Sequence, residues 1–263
     1  MSFKNFEKNI HSQFGEDGVI EEIFFRIGVQ NKFCVEFGAW DGVHLSNTWN
    51  LLTKHSWKAL LIEGDSIKFK TLLKNTEGYA NVEALNAFVQ SEGENSLDEI
   101  LNRFSLPQDI DLLSIDIDGD DYYIFESLKK YHPRLILVEY NPSIPPDIDI
   151  VQSKGEYFGS SALALYNLGH VKGYKLIHMT DTNMFFLNSG DFDKLKTDEQ
   201  GLNNLFPKKY LTHVITSYDG ATFLTGVPVY MGIEDRKSIK LPFKNPEKLS
   251  GLIPVTINRR NKK

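Results

Sequence analysis

Residues 33–42 read Phe-Cys-Val-Glu-Phe-Gly-Ala-Trp-Asp-Gly, and this stretch is the strongest indication of the fold class. A short apolar run that leads through Glu36 into Gly38 and Gly42 is typical of a buried parallel strand that ends in a glycine loop. The glycines are spaced Gly-x-x-x-Gly, whereas a dinucleotide pyrophosphate favours Gly-x-Gly-x-x-Gly. A carboxylate at Glu36 also suits an ammonium group better than a phosphate. The stretch therefore predicts a strand tip that binds a nucleotide-like ligand other than a dinucleotide.

Composition and charge narrow the class of protein. The chain has 263 residues and a formal net charge of -6, which fits one α/β domain with added segments and argues against nucleic acid as a partner. Cys34 is the single cysteine, so we expect a core residue in a reducing compartment. The N-terminus has no apolar signal core and no run is long enough to span a membrane, so we expect a cytoplasmic protein without a membrane partner.

Apolar runs alternate with helix-length segments through the first half of the chain. This alternation predicts a parallel sheet covered by helices on both faces, with the carboxyl ends of the strands along one edge. The predicted strands are 33–38, 58–63, 81–87, 112–116 and 135–140. The predicted helices are 15–28, 43–54, 66–76, 96–104 and 121–130.

The pattern changes after a proline-rich loop at residues 141–147. A helix around 160–169 is followed by apolar runs at 174–179 and 184–188, and the four polar residues between these runs predict a hairpin. Later residues are less regular, with short strands expected near 213–217 and 222–231.

Polar side chains stand at the ends of the first three predicted strands. Glu63 lies about 20 residues beyond the glycine loop, where an acidic side chain accepts hydrogen bonds from a ribose diol. The alternative is that the acidic cluster only caps the next helix. Asn86 and Ala87 end the third strand, where they edge an adenine pocket or simply form a turn.

The fourth strand ends in Ile115-Asp116-Ile117-Asp118-Gly119-Asp120-Asp121. So many carboxylates together favour a bound cation, and the next strand adds Glu139 and Asn141 beside them. Asp116, Asp118, Glu139 and Asn141 therefore form a candidate Mg²⁺ site. The alternative for Asp120 and Asp121 is that they begin a helix, where anions are stabilised.

The same run is compatible with a different enzyme. A buried strand followed by Asp-x-Asp-Gly resembles the motif of haloacid-dehalogenase-type phosphatases, with Asp116 as nucleophile and Asp118 as acid and base. That hypothesis leaves Glu36, Gly38 and Glu63 unexplained.

Residues 33–189 together resemble the FkbM-like family of class I S-adenosylmethionine-dependent methyltransferases. The segments that carry the resemblance occur in the family's order: Val35-Glu36-Phe37-Gly38-Ala39, Leu61-Ile62-Glu63, Ser96-Leu97-Asp98, Ile115-Asp116-Ile117-Asp118-Gly119, Gly173-Tyr174-Lys175-Leu176 and Asn183-Met184-Phe185-Phe186. The sequence departs from the family pattern at Glu36, where Asp is common, at Trp40, where Asn is common, and at Asp118, where Glu is common.

The resemblance implies an α/β fold with a Rossmann-like seven-stranded sheet in the order 3-2-1-4-5-7-6, the last strand antiparallel and helices on both faces. It divides the chain into an N-terminal helix or lid (1–32), an S-adenosylmethionine-binding core (33–190) and a C-terminal extension (191–263). The extension is expected to form an acceptor lid or a homodimer contact.

The resemblance also assigns roles around the cofactor. It places the methionine part of S-adenosylmethionine near Glu36, Phe37 and Gly38, the ribose on Glu63, the base near Asn86 and Ala87, and Asp116 beside the cofactor. Gln13, in the stretch before the core, is expected to bond the cofactor carboxylate. The alternative for that stretch is a capped helix start at Ser12.

Methyl transfer to a hydroxyl requires alignment of the acceptor and a base. Asp118 or Glu139 is the expected base, with His170, His178 and His213 as alternatives. The expected acceptor is a small molecule, such as a sugar, a phosphate-linked group or a surface-polysaccharide precursor, by analogy with the family. The remaining alternatives are the phosphatase and a non-catalytic ligand-binding domain.

Overall fold

The fold is seen in a computed structural model that describes residues 2–211, 214–216, 218, 222–225 and 252–254. Seven strands form the main sheet: β1 (Phe33–Phe37), β2 (Lys58–Glu63), β3 (Val82–Asn86), β4 (Leu112–Ile115), β5 (Leu135–Glu139), β6 (Tyr174–Met179) and β7 (Asn183–Asn188). Their order is β3-β2-β1-β4-β5-β7-β6, and β7 runs antiparallel to both of its neighbours. The predicted sheet is confirmed in order and direction.

Helices cover both faces of this sheet. Seven α-helices are described: α1 (Glu16–Ile27), α2 (Trp49–His55), α3 (Ser66–Thr76), α4 (Leu97–Arg103), α5 (Asp121–Ser127), α6 (Ala162–Val171) and α7 (Leu202–Leu205). Side chains of β1 alternate between two apolar clusters, with Val35 in one and Cys34 in the other. The strand is buried along its whole length, which explains its nearly continuous apolar sequence.

The largest boundary difference concerns α2, which was expected from residue 43 and begins at Trp49. Residues 46–48 cannot be helical because their hydroxyl and amide groups turn inward to bond the buried carboxylate of Glu36. The hairpin of β6 and β7 is confirmed, and it completes the edge of the sheet.

The N-terminal segment is anchored to the strand-end edge of the sheet. Helix α1 buries Val19, Ile20 and Ile23 in the apolar cluster on one face. The preceding turn is closed by Asp17, whose Oδ2 accepts the main-chain N–H groups of residues 10–12 at 2.7–2.8 Å. Glu16 then bonds Thr180 Oγ1 at 2.6 Å, which ties the start of α1 to the β6–β7 turn.

Beyond α7 the structure describes a separate three-stranded antiparallel sheet. Its strands are β8 (Val214–Thr216), β9 (Thr222–Thr225) and β10 (Leu252–Pro254), in the order β10-β9-β8. The remaining residues of the predicted 213–217 and 222–231 strands, His213 among them, lie outside the described residues. Within the described part of the chain, no helix combines the length and apolarity that a membrane span requires.

Candidate active site

A cavity of about 670 Å³ opens at the carboxyl ends of β1 to β5. This is the edge at which parallel α/β sheets bind ligands. The structure brings eight of the eleven predicted site residues to its walls: Gln13, Glu36, Gly38, Glu63, Ala87, Asp116, Asp118 and Glu139. Phe37, Asn86 and Asn141 are not among the lining residues.

The end of β1 approaches β4 closely at Gly38. Its φ is +72°, and a Cβ atom built there would lie 1.6 Å from the carbonyl oxygen of Asp116. Only glycine permits this approach. Phe37, one residue earlier, points its side chain into the core, so any contact of Phe37 with a ligand runs through its main chain.

Glu36 organises the loop that follows β1. Its carboxylate accepts hydrogen bonds from Ser46 Oγ (2.7 Å), Thr48 Oγ1 (2.6 Å) and the main-chain N–H of Asn47 (2.8 Å). Burial raises the pKa of Glu36, and these three bonds act in the opposite direction. The carboxylate predicted to meet an ammonium group thus also holds residues 46–48 against the cavity.

Glu63 ends β2 with its carboxylate turned into the cavity. Oε2 accepts the main-chain N–H of Trp40 at 2.8 Å, and Oε1 accepts that of Asp65 at 2.7 Å. Each oxygen keeps lone-pair capacity for a further donor, because an ionised carboxylate accepts about four hydrogen bonds. The geometry therefore suits a vicinal diol. Asp65 separately caps α3 through the N–H groups of residues 67 and 68, so the capping alternative also holds.

The end of β3 forms an apolar wall next to Glu63. The ring of Phe88 lies on Gly64, where a Cβ atom would come within 2.3 Å of it. Ala87 lines the cavity beside this ring. Asn86 turns away and donates from Nδ2 to the carbonyl of Glu63 at 2.7 Å, which joins the two strand ends. A flat base fits between such apolar surfaces.

Three carboxylates converge on the other side of the cavity. Oxygen atoms of Asp116, Asp118 and Glu139 lie within 4.8 Å of one another. Burial, followed by the negative charges of neighbouring carboxylates, raises the pKa of Asp116 well above its usual range, and Asp116 also hydrogen-bonds Glu139.

Asp121 holds the loop that carries Asp118. Its carboxylate accepts the N–H groups of Ile117 and Gly119, both at 2.9 Å. Burial is the main cause that raises the pKa of Asp121 to about 6. Asp118 lies between these two anchored residues with a φ of +57°, and its side chain is exposed to the cavity.

The remaining candidates lie elsewhere. Asn141 uses both amide atoms within its own loop, accepting from Ser143 and donating to the carbonyl of Phe158 at 2.7 Å. His178 is buried against Glu7 at 3.1 Å, and His170 is exposed on α6. Neither histidine lines the strand-end cavity.

Several residues that line the cavity were not predicted to be site residues. Examples are Lys68, Phe88, Tyr157 and Asn183. Phe88 follows the predicted Ala87 directly, and Asn183 pairs with Glu139 across the sheet, so both had a signal in the strand pattern. Tyr157 lies in an irregular loop and had none.

The model of the family described as "Methyltransferase FkbM domain" matches residues 36–176, which is more than half of the chain. The chain belongs to the FkbM methyltransferase family. The match begins at Glu36 on β1 and ends at Leu176 on β6, so it spans the strand ends that build the cavity. This FkbM methyltransferase is therefore an enzyme of the S-adenosylmethionine-dependent class. This family assignment favours a methyltransferase over the two alternatives for the chain, a phosphatase and a non-catalytic ligand-binding domain.

Several solved structures are similar to the FkbM chain at low sequence identity. A SAM-dependent methyltransferase from Aquifex aeolicus is 11% identical with a TM-score of 0.38, covering 71% of this chain and 96% of that one. The N-terminal domain of EvdMO1, solved with SAH and D-fucose, is 12% identical with a TM-score of 0.43, covering 65% and 80%. PKMT2 from Rickettsia typhi, in complex with AdoHcy, is 16% identical with a TM-score of 0.37, covering 52% and 26%. No curated protein matches the chain.

The cavity fits S-adenosylmethionine on its own chemistry. The carboxylate of Glu63 suits the ribose diol, and Ala87 with Phe88 suits the adenine. Among the described residues that line the cavity, six are carboxylates and one is a lysine. This charge suits a ligand that carries both a sulfonium and an ammonium group.

Proposed function

We propose that this methyltransferase methylates a hydroxyl group of a neutral, polyhydroxylated small molecule, such as a sugar or a precursor of a surface polysaccharide. The observation that carries the proposal is the group of Asp116, Asp118 and Glu139 at the cavity wall. Carboxyl groups accept and donate hydrogen bonds to several hydroxyls at once, and one of them can take the proton that methylation releases.

Charge argues against an acceptor with a phosphate at the reacting end. The cavity wall is dominated by carboxylates, and Lys68 is committed to the ring of Trp40, 4.2 Å from its centroid. A phosphate brought next to the three convergent carboxylates would meet like charges without a compensating cation. A phosphate-linked acceptor therefore fits only with the phosphate remote from this group.

Bound S-adenosylmethionine supplies an activated methyl group, which is displaced in line from sulfur by the acceptor oxygen. The residues of this chain then have two tasks. Asp118 receives the hydroxyl proton as the carbon–oxygen bond forms. Asp116 and Glu139 hold a neighbouring hydroxyl of the acceptor, which donates its hydrogen to one of their carboxylate oxygens.

A Mg²⁺ ion is a second part of the proposal, with a set of ligands that differs from the predicted one. Asn141 is no longer among the ligands, because its amide is bonded within its loop, and Asp116, Asp118 and Glu139 remain. A cation at this position would favour the ionised form of Asp116, whose pKa burial and the neighbouring carboxylates raise, since ligating carboxylates are ionised. Methyl transfer that rises with Mg²⁺ and loses this response in Glu139→Gln supports the metal. Equal rates in Mg²⁺ and in a chelator remove it from the proposal.

The test of the proposed function measures transfer of a labelled methyl group to a panel of methyl glycosides. Asp118→Asn is expected to lower the rate by about 10²–10⁴-fold while the affinity for S-adenosylhomocysteine stays within about twofold. Asp193→Asn, an exposed aspartate away from the cavity, is the control and keeps the wild-type rate. Full activity of Asp118→Asn contradicts its role as the base.

A further inference from the structure

One aromatic side chain at the cavity is exposed on a loop that is itself firmly held. Tyr157 lines the cavity and is 86% exposed. It lies in the loop between β5 and α6, where the side chains of Gln152, Ser160 and Ser161 are buried. Because this ring stands at the cavity wall, its face is open to a ligand that enters the cavity.

The support is a hydrogen-bonded clamp built on Gln152, which is 4% exposed. Its Oε1 accepts the N–H groups of Phe158 (3.0 Å) and Gly159 (2.7 Å), and its Nε2 donates to the carbonyl of Glu156 (2.7 Å). The bonds therefore enclose Tyr157 on both sides in the sequence. The main chain at Tyr157 is therefore held in place, and its ring extends from this support into solvent at the cavity.

The same clamp ties the loop to the catalytic carboxylates. Asp120, two residues after Asp118, accepts from Gln152 Nε2 at 3.0 Å and from the N–H of Gly155 at 2.8 Å. Gly119 lies against the loop, since a Cβ atom there would come within 2.5 Å of the carbonyl oxygen of Glu156. The loop of Tyr157 and the loop of Asp118 therefore form one unit at the cavity wall.

We propose that Tyr157 is the acceptor-recognising residue of this methyltransferase and that it stacks on the apolar C–H face of a sugar ring whose hydroxyls meet the Asp116, Asp118 and Glu139 carboxyl groups. This inference rests on the proposed function and names the feature that selects the acceptor. A pyranose carries hydroxyls around its edge and C–H groups on a face. The cavity offers the matching pair of surfaces, one acidic and one aromatic. A polyol without a ring would use the carboxyl groups but leave Tyr157 uncovered.

The test uses saturation-transfer NMR on the protein saturated with S-adenosylhomocysteine, with the methyl glycosides of glucose, galactose and rhamnose as probes. At least one glycoside is expected to receive saturation at its ring C–H protons. Tyr157→Ala is expected to weaken its binding about tenfold, the scale of one aromatic contact, whereas Tyr157→Phe stays within about twofold. Phe25→Ala, which removes an equally exposed ring on α1, is the matched control.

Two results overturn the inference. One is the absence of saturation transfer to any of the three glycosides, and the other is equal transfer in wild type and Tyr157→Ala. Calorimetry of the same Tyr157→Ala sample with S-adenosylhomocysteine separates this failure from failure of the proposed function. Unchanged cofactor binding and Asp118-dependent methyl transfer leave the proposed function standing without Tyr157. Because Tyr157 is exposed, its replacement is not expected to change folding.

Discussion

Gly38 at the end of β1 and Asp116 at the end of β4 are in such close contact that an added Cβ atom at Gly38 would lie 1.6 Å from the carbonyl oxygen of Asp116. The contact sets the distance between the cofactor loop and the acidic group. We therefore expect Gly38→Ala to lower the free energy of unfolding by several kcal/mol, because it combines backbone strain with a clash that neither strand end can relieve. Urea denaturation measures the change.

Gly28→Ala separates the effect of backbone strain from the effect of the steric clash. Gly28 has the same φ of +72°, but a Cβ atom there would meet nothing within 4 Å. Its replacement is expected to cost about 1–3 kcal/mol from strain alone. Equal losses in the two variants would mean that the contact with Asp116 has no part in stability.

Glu36→Gln tests whether the buried carboxylate organises the loop at 46–48. Gln presents one acceptor oxygen to the three donors that Glu36 satisfies, so we expect a loss of about 1–3 kcal/mol in the free energy of unfolding. Affinity for S-adenosylhomocysteine should fall as well, because Asn47 also lines the cavity. Glu83→Gln, at an exposed position on β3, is the control and should change neither quantity. A stable Glu36→Gln protein with normal affinity contradicts this role.

Asp121 gives a pH dependence of stability. Its pKa is about 6 in the folded protein and 3.8 in the unfolded chain. Between these values the folded state holds a proton that the unfolded state has lost, so this contribution to stability falls as pH rises through the window and is constant above it. The shift corresponds to about 3 kcal/mol at most.

Thermal unfolding between pH 4 and pH 8 measures this effect. Asp121→Asn removes the titrating group, so its Tm should change less with pH than the Tm of the wild type does. Parallel pH profiles for the two proteins would show that burial does not perturb Asp121. The variant also loses part of the cap on Ile117 and Gly119, so the slope and not the absolute Tm is the informative quantity.

Trp40 provides an optical signal for cofactor binding. It is 47% exposed at the cavity, whereas Trp49 is 7% and Trp57 is 2% exposed in the apolar core. We expect S-adenosylhomocysteine to change the tryptophan emission of the wild type and to leave that of Trp40→Phe unchanged. A signal that persists in Trp40→Phe would arise from the buried tryptophans and would place the binding event elsewhere.

The sheet could be predicted from the sequence because each strand is a short apolar run between turn residues, and the runs of β2, β6 and α3 were predicted to the residue or nearly so. The start of α2 could not be predicted, because the carboxylate that keeps residues 46–48 out of the helix is that of Glu36 on β1. Such a bond between distant segments leaves no periodic trace in the chain.

The candidate site also has a part that could be predicted from the sequence and a part that could not. Glu63, Asp116 and Glu139 were found because strand ends converge on one edge of a parallel sheet. The raised pKa of Asp116 depends on its burial and on the carboxylates around it, which the sequence does not encode locally. Tyr157 was missed because its position depends on the clamp of Gln152 and Asp120, which are 32 residues apart.

Calorimetric titration with S-adenosylhomocysteine measures directly whether the strand-end cavity binds the cofactor. We expect one site per chain in the wild type and wild-type affinity in Glu83→Ala. In Glu63→Ala we expect the affinity to fall at least about tenfold, because a charge-assisted bond to the ribose is removed. The absence of both binding heat and a thermal shift in the wild type would contradict the assignment of this cavity to S-adenosylmethionine.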